Sequence, residues 1–193
     1  MTTPLKIGVW SKQDSLFINA ISLAREKRVR IMIKPHLWLS AGSRSKISFK
    51  DKNSWKKWFD LYKKNILHYT TMAEKNQVDL LCIGTELQTS LFEIPHLWVR
   101  LIKDLRTVYS GQITLAFNWD TNILKINPDF LKELDLIGVQ GYFPLTTNKN
   151  PDKSDIKEGW ERPLNYLNNI HQRTGKKIVF TEIGYRADVK ATI

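Results

Sequence analysis

Apolar residues recur at two spacings along this chain, and the switching between them predicts a repeat of strands and helices. From Asp14 to about Arg28, the residues Phe17, Ala20, Ile21, Leu23 and Ala24 fall on one helical face, and Asp14 or Ser15 can cap it. Val29 to Ile33 is a β-branched run that stops at Lys34-Pro35-His36, where the proline ends the strand. Ala41 to Asn53 is polar and reads as a loop. Ser54 then caps a long helix in which Trp55, Trp58, Phe59, Tyr62, Ile66, Tyr69 and Met72 lie three or four apart, the spacing of a buried face. The next apolar run, Leu80 to Ile83, closes with Gly84-Thr85-Glu86. A helix follows from around His96 to Tyr109, with Gly111 past its end. Strand Ile113 to Phe117 runs into Asn118-Trp119-Asp120, and Asn127-Pro128 opens a short helix as cap and first-turn proline. Leu136 to Val139 leads to Gly141-Tyr142-Phe143-Pro144. A helix spans about Asp155 to Thr174, with Gly175 at its exit, and the strand Ile178 to Phe180 ends in Thr181-Glu182.

Near-continuous apolar strands separated by helices are the pattern of a parallel sheet covered by helices. A doubly wound sheet and an eight-stranded barrel both have it. The strand endings separate them: all five runs finish in polar or aromatic residues, His36, Glu86, Asn118, Tyr142 and Glu182. In a parallel barrel these ends meet on one face, where active sites are built. A doubly wound fold would more often carry a glycine-rich phosphate loop after its first strand, and this chain has none. The expectation is α/β, a (β/α)8 TIM-barrel type, with residues 1–193 forming one domain.

Composition narrows the chemistry. The single cysteine, Cys82, lies inside an apolar run and reads as a small buried hydrophobe, so neither a disulfide framework nor a cysteine metal site is expected. The formal charge of +11 raises nucleic-acid binding, but the basic residues are spread along the chain and Arg44-Ser45-Lys46 is only a short cluster. No nucleic-acid partner is expected. No segment has the length of apolar chain a membrane span needs, and Met1 to Lys6 lacks the apolar stretch of a signal peptide.

Two carboxylates flanking one bond are what glycoside hydrolysis requires: one protonated to serve the leaving oxygen, the other ionised to attack the anomeric carbon. Glu86 and Glu182 both follow buried-looking strands, about three strand–helix units apart, which sets them across the barrel mouth from each other. Trp38, Trp119, Tyr142 and Tyr185 stand at or just beyond strand ends, beside Asn118, His36 and Lys34. Aromatic faces that stack on sugar C–H surfaces, with amides and charges for the hydroxyls, are the expected lining of a glycan cleft.

Six segments in order resemble glycoside hydrolase family 113, the retaining β-mannanases of the clan A (β/α)8 barrels. They are Lys34-Pro35-His36; Trp58-Phe59 with Tyr62; Ile83-Gly84-Thr85-Glu86-Leu87; Asn118-Trp119-Asp120; Ile137-Gly138-Val139 with Tyr142-Phe143-Pro144-Leu145; and Phe180-Thr181-Glu182-Ile183-Gly184-Tyr185. The resemblance covers about residues 14 to 186. It implies Glu86 as acid/base after the fourth barrel strand, Glu182 as nucleophile after the seventh, and Tyr142 as the tyrosine that supports the nucleophile. It implies that Lys34, His36, Trp38, Asn118, Trp119 and Tyr185 bind a polysaccharide or oligosaccharide substrate, with no metal and no cofactor in the mechanism.

The first recognisable strand matches the family's third. Lys6 to Trp10 reads as the remains of what precedes it, and too few residues follow Glu182 for a helix and an eighth strand. The expected barrel is therefore incomplete, with about strands 3 to 7 present. Its exposed sheet edges would allow self-association. Compartment stays open because upstream sequence is expected to be missing. A degenerate barrel that binds carbohydrate without turnover is the alternative function.

Overall fold

The computed structural model describes residues 11–39 and 42–185. In order, these form α1 (Ser11–Glu26), β1 (Met32–Ile33), α2 (Lys52–Lys75), β2 (Leu80–Thr85), α3 (Gln88–Glu93), α4 (Pro95–Arg106), β3 (Gln112–Asn118), α5 (Pro128–Glu133), β4 (Leu136–Gln140), α6 (Lys153–Gly159), α7 (Glu161–Thr174) and β5 (Lys177–Glu182), with short 3-10 turns at Arg44–Lys46 and Ile123–Lys125. The segment Lys6 to Trp10 lies outside the described residues.

The strands pair in chain order, β1-β2-β3-β4-β5, and every pairing is parallel. Each connection returns to the adjacent position on the same side, and right-handed crossovers then put the helices on one face. A doubly wound sheet would reverse direction part-way. The sheet is also curled. Laid flat, β1 and β5 would stand about 19 Å apart at roughly 4.8 Å per strand. Yet Lys34, just past β1, bonds directly to Glu182 at the end of β5. The fold is a curled half-barrel, five strands of an incomplete TIM-type barrel.

The core lies between this sheet and its helices. β2 is buried throughout and the middle of β3 likewise, whereas β1 is half-buried and β5 mixes exposed and half-buried positions with Thr181 alone buried, as edge strands do. The aromatic stripe on α2 is core, as its spacing predicts: Trp55, Trp58, Phe59, Tyr62, Ile66 and Met72 are buried, while Tyr69 is not. Tyr62 stacks on Trp58 at 5.1 Å and donates its hydroxyl to Ile83 O at 2.6 Å, pinning α2 to the strand that leads to Glu86. Gly138 is required on β4, since a Cβ there would lie 2.6 Å from Leu115 O.

Several local expectations change. Asp51, not Ser54, caps α2: its carboxylate accepts from Ser54 N and Ser54 Oγ, both at 2.8 Å. The helix expected from Asp155 to Thr174 is two helices. Pro163 has no N–H for the bond one turn back, so the helix restarts at Glu161 and leaves Pro163 in the first turn, where that donor is not needed. Asn127 caps α5 as expected, and Gly175 ends α7 at φ +67°. Of the apolar face foreseen on α1, only Ile21 is buried; Phe17 and Leu23 are exposed, as are Leu16 and Ile18.

Candidate active site

The C-terminal ends of all five strands open on the same rim, and the two glutamates reach it by different routes. β2 loses register with β3 between Cys82 and Thr85, an irregularity that re-aims whatever follows. Glu86 follows directly at φ +58°, a left-handed conformation that costs a non-glycine residue about 1–3 kcal/mol and that recurs at functional sites. Its N–H still bonds Ala116 O at 3.2 Å, so the strand end is fixed while the side chain turns aside. Glu182 is the last residue of β5, and its carbonyl accepts from Gly141 N at 2.7 Å.

Around Glu182 the charges are dense. Lys34 donates to Oε1 and the Tyr142 hydroxyl to Oε2 at 2.9 Å. Burial alone would raise the pKa of this carboxyl, but the hydrogen bonds from Lys34 and Tyr142, the Lys34 charge and the Gln140 amide outweigh it and hold the group below the usual carboxylate range. The same bond, together with burial, raises the pKa of Tyr142 and keeps its proton in place. Glu182 is thus an anion in a partly desolvated site.

Glu86 has a different partner. Arg44 Nη2 lies 2.9 Å from its Oε2. The same guanidinium donates to Leu37 O at 3.3 Å and approaches His36 Nδ1 at 3.4 Å. Arginine has no acceptor, so Nδ1 must be the unprotonated ring nitrogen, and Nε2–H faces Glu182 Oε1 at 3.6 Å, too far for a hydrogen bond. Burial, Lys34 and Arg44 lower the His36 pKa against the opposing pull of Glu182 and Glu86, so the ring is neutral near pH 7. His36 links the two glutamates: Nδ1 is 3.4 Å from the Arg44 guanidinium that pairs with Glu86, and Nε2 is 3.6 Å from Glu182 Oε1, so both carboxylates border one shared space.

The remaining predicted residues divide. Asn118 ends β3 in register with Gln140, which is in turn in register with Glu182. Trp119 is half-exposed and edge-on to Phe143 at 6.2 Å. It borders a cleft of about 740 Å³, also lined by Asp120, Asn122, Phe143, Thr146 and Arg162. Trp38 is 91% exposed on the loop after β1. Tyr185 donates to Phe143 O at 3.0 Å, tying together the segments after β4 and β5, so its hydroxyl is already engaged. Lys34, expected to meet substrate, bonds the Glu182 carboxylate directly. Cys82 is fully buried, which pushes its thiol up to about 11. Two contributors were not foreseen: Arg44, hidden in a polar loop and read only as part of a basic cluster, and Gln140, given no role between the strand expected to end at Val139 and Gly141, although the observed strand includes it. Nothing local in the sequence marks either one; only the fold brings them to the carboxylates. Among the described residues, no group of three or more His, Cys, Asp or Glu side chains is arranged to hold a metal ion, and no helix is long and apolar enough to cross a membrane.

The model of Glycoside Hydrolase Family 113 matches residues 9–192. The chain belongs to that family. Solved family 113 structures have the same fold. One, described as a complex structure of a β-1,4-mannanase, is 23% identical, with a TM-score of 0.74 over 86% of this chain. The β-mannanase AaManA from Alicyclobacillus acidocaldarius, in complex with ManMIm, is 22% identical with a TM-score of 0.77 over 93% of this chain. A further β-1,4-mannanase gives a TM-score of 0.78 at 21% identity, also over 93% of this chain. This family 113 chain spans about half the length of these relatives, 51% to 55%. No curated protein matches it in sequence.

Proposed function

We propose that this chain carries the catalytic pair of a retaining glycosidase acting on β-1,4-linked, mannan-type polysaccharide. The observation that carries the reading is the arrangement at one rim: Glu182 is held anionic by Lys34 and Tyr142, and His36 links it to the Arg44–Glu86 pair. Glu182 attacks the anomeric carbon while Glu86 gives a proton to the departing glycosidic oxygen, so the C–O bond to the leaving sugar breaks as the bond to Glu182 forms. Glu86, now ionised, takes a proton from water, the water oxygen replaces Glu182 on the anomeric carbon, and both carboxyl groups return to their starting forms. Tyr142 keeps one nucleophile oxygen oriented throughout. Trp119 and the cleft beside it are suited to stack and hydrogen-bond further sugar units, with Trp38, Asn118, His36 and Tyr185 completing the expected lining.

The test is hydrolysis of β-mannan with the anomer of the first product followed by NMR, comparing Glu86→Ala and Glu182→Ala. The expected result is a β product at first and loss of turnover in both variants. Wild-type rates in both variants would end the assignment. A carboxyl separation of about 5–5.5 Å is expected for retention, and roughly 9 Å would indicate inversion instead. Carbohydrate binding without turnover is the second reading. It is favoured by one observation, that each glutamate is already neutralised by a cation, Glu86 by Arg44 and Glu182 by Lys34. Mannooligosaccharide binding by calorimetry with no product formed would support it.

A further inference from the structure

We infer that Arg44 is a positioning residue that fixes which oxygen of Glu86 meets the glycosidic bond. This rests on Glu86 being the acid/base. Among the described residues the Glu86 carboxylate is paired with Arg44 alone, through Oε2 at 2.9 Å. With Oε2 held by Arg44, Oε1 is the oxygen assigned to proton transfer. Glu86 stands at a left-handed backbone position with its side chain 24% exposed, and the planar guanidinium fixes the orientation of its carboxylate.

The restraint is itself anchored. Arg44 opens a 3-10 turn in which the Ser43 hydroxyl accepts from Ser45 N at 3.3 Å. Thr89 Oγ1 donates to Ser45 O. Farther along the same loop Ser48 donates to Glu93, which also accepts from Trp55 Nε1 at 3.0 Å. Thr89 and Glu93 lie on α3, the helix that starts two residues after Glu86. The turn carrying Arg44 is therefore fastened to the element that Glu86 leads into, so both partners of the ion pair sit on connected segments. Arg44 Nη1 continues to Leu37 O at 3.3 Å, so the guanidinium also spans to the loop after β1.

In the first step the proton on Oε1 passes to the glycosidic oxygen as that oxygen leaves the anomeric carbon and Glu182 bonds to it. Misaligning Oε1 should harm only those reactions that need this proton. A mannooligosaccharide leaves as an alkoxide unless protonated, whereas a 2,4-dinitrophenyl group leaves as a stable phenolate and needs no acid. The experiment compares kcat/KM of the wild type, Arg44→Met and Arg44→Lys on mannotetraose and on 2,4-dinitrophenyl β-mannobioside, with thermal melts of all three proteins.

General acid catalysis is worth about 10²–10⁴-fold, so partial misalignment in Arg44→Met should lower kcat/KM on mannotetraose by about tenfold or more and on the dinitrophenyl glycoside by less than about threefold. Arg44→Lys, which keeps the charge but not the fork, should recover part of the oligosaccharide rate. Equal loss on both substrates in the lysine variant would make Arg44 merely structural, and no loss on either would make it irrelevant; each overturns the inference. A wild type that hydrolyses neither substrate removes the catalytic reading of Glu86, and this inference falls with it.

Discussion

Replacing Lys34 with methionine removes the charge next to Glu182 while keeping an unbranched, apolar chain of similar length in nearly the same space. The Lys34 side chain is only 9% exposed and that of Glu182 30%. Breaking a fully buried ion pair costs about 3–5 kcal/mol and breaking an exposed one about 0–1 kcal/mol. Glu182 keeps the Tyr142 hydrogen bond and some access to water, so Lys34→Met should cost about 1–2 kcal/mol at pH 7.

The pH dependence gives this prediction its sign. The folded-state pKa of Glu182 is lowered, so its contribution is present above the unfolded glutamate value of about 4.3 and is lost as pH falls through the folded value. Below that point the wild type keeps a charged lysine in a nearly closed site with no anion opposite it, and a progressively protonated His36 adds a like charge beside it. The methionine variant has no such charge. The stability gap should therefore shrink as the pH is lowered below about 4 and then reverse. Urea unfolding followed by tryptophan fluorescence at pH 7 and pH 3.5 measures it. A gap of the same size and sign at both pH values would refute the reasoning.

Tyr142→Phe removes a hydrogen bond to a charged acceptor from a side chain that is 44% exposed, so kcat/KM on mannan-type substrates should fall by about tenfold or more while stability changes by less than about 0.5 kcal/mol. Thermal melts of Gly138→Ala should show a loss of about 1–3 kcal/mol, because the added methyl would meet Leu115 O at 2.6 Å and Thr181 Cγ2 at 2.8 Å inside the sheet. Trp119→Ala should weaken mannooligosaccharide binding measured by calorimetry by about 1 kcal/mol or more, the loss of one stacking face, with little change in the melting temperature.

The strand–helix alternation and the strand endings were legible because burial on both faces of a parallel strand writes itself as an unbroken apolar run. Glu86, Glu182 and Tyr142 stood out as polar interruptions just where such runs stop. What the sequence concealed depends on the third dimension. Lys34 reads as one of several polar residues at a strand end, and only the curl of the sheet sets it against Glu182. Arg44 and Glu86 are separated by the whole of α2 and β2, so neither spacing nor composition connects them. The helix break before Glu161 was readable in principle, since Pro163 forbids an unbroken helix, but the apolar period on either side masks it. On α1 the period forecast a buried face, and the structure leaves most of that face open: only Ile21 joins the core, and the helix is tied to α2 and the turn after it through polar contacts, Asp14 with His68 and Arg25 with Gln77.

The contact between Lys34 and Glu182 also bears on the curvature that makes the rim a site at all. β1 is two residues long and half-buried, and β5 has few fully buried positions, so the two edges contribute little packing to hold the sheet bent. Lys34 reaches across the mouth from one edge to the other, and Arg44 joins the β1 loop to the end of β2. Both chords start from the segment that follows β1, and each ends on one of the two glutamates. Side chains that set the charge state and aim of the carboxylates are thus the same ones that span the open rim. Loosening one chord should loosen the other glutamate as well: Lys34→Met and Arg44→Met should show a coupling energy different from zero in a double-mutant cycle, even though the two side chains bond different carboxylates. Strict additivity in the urea-unfolding free energies would show that each chord serves its own glutamate only, and that the half-barrel holds its curvature without them.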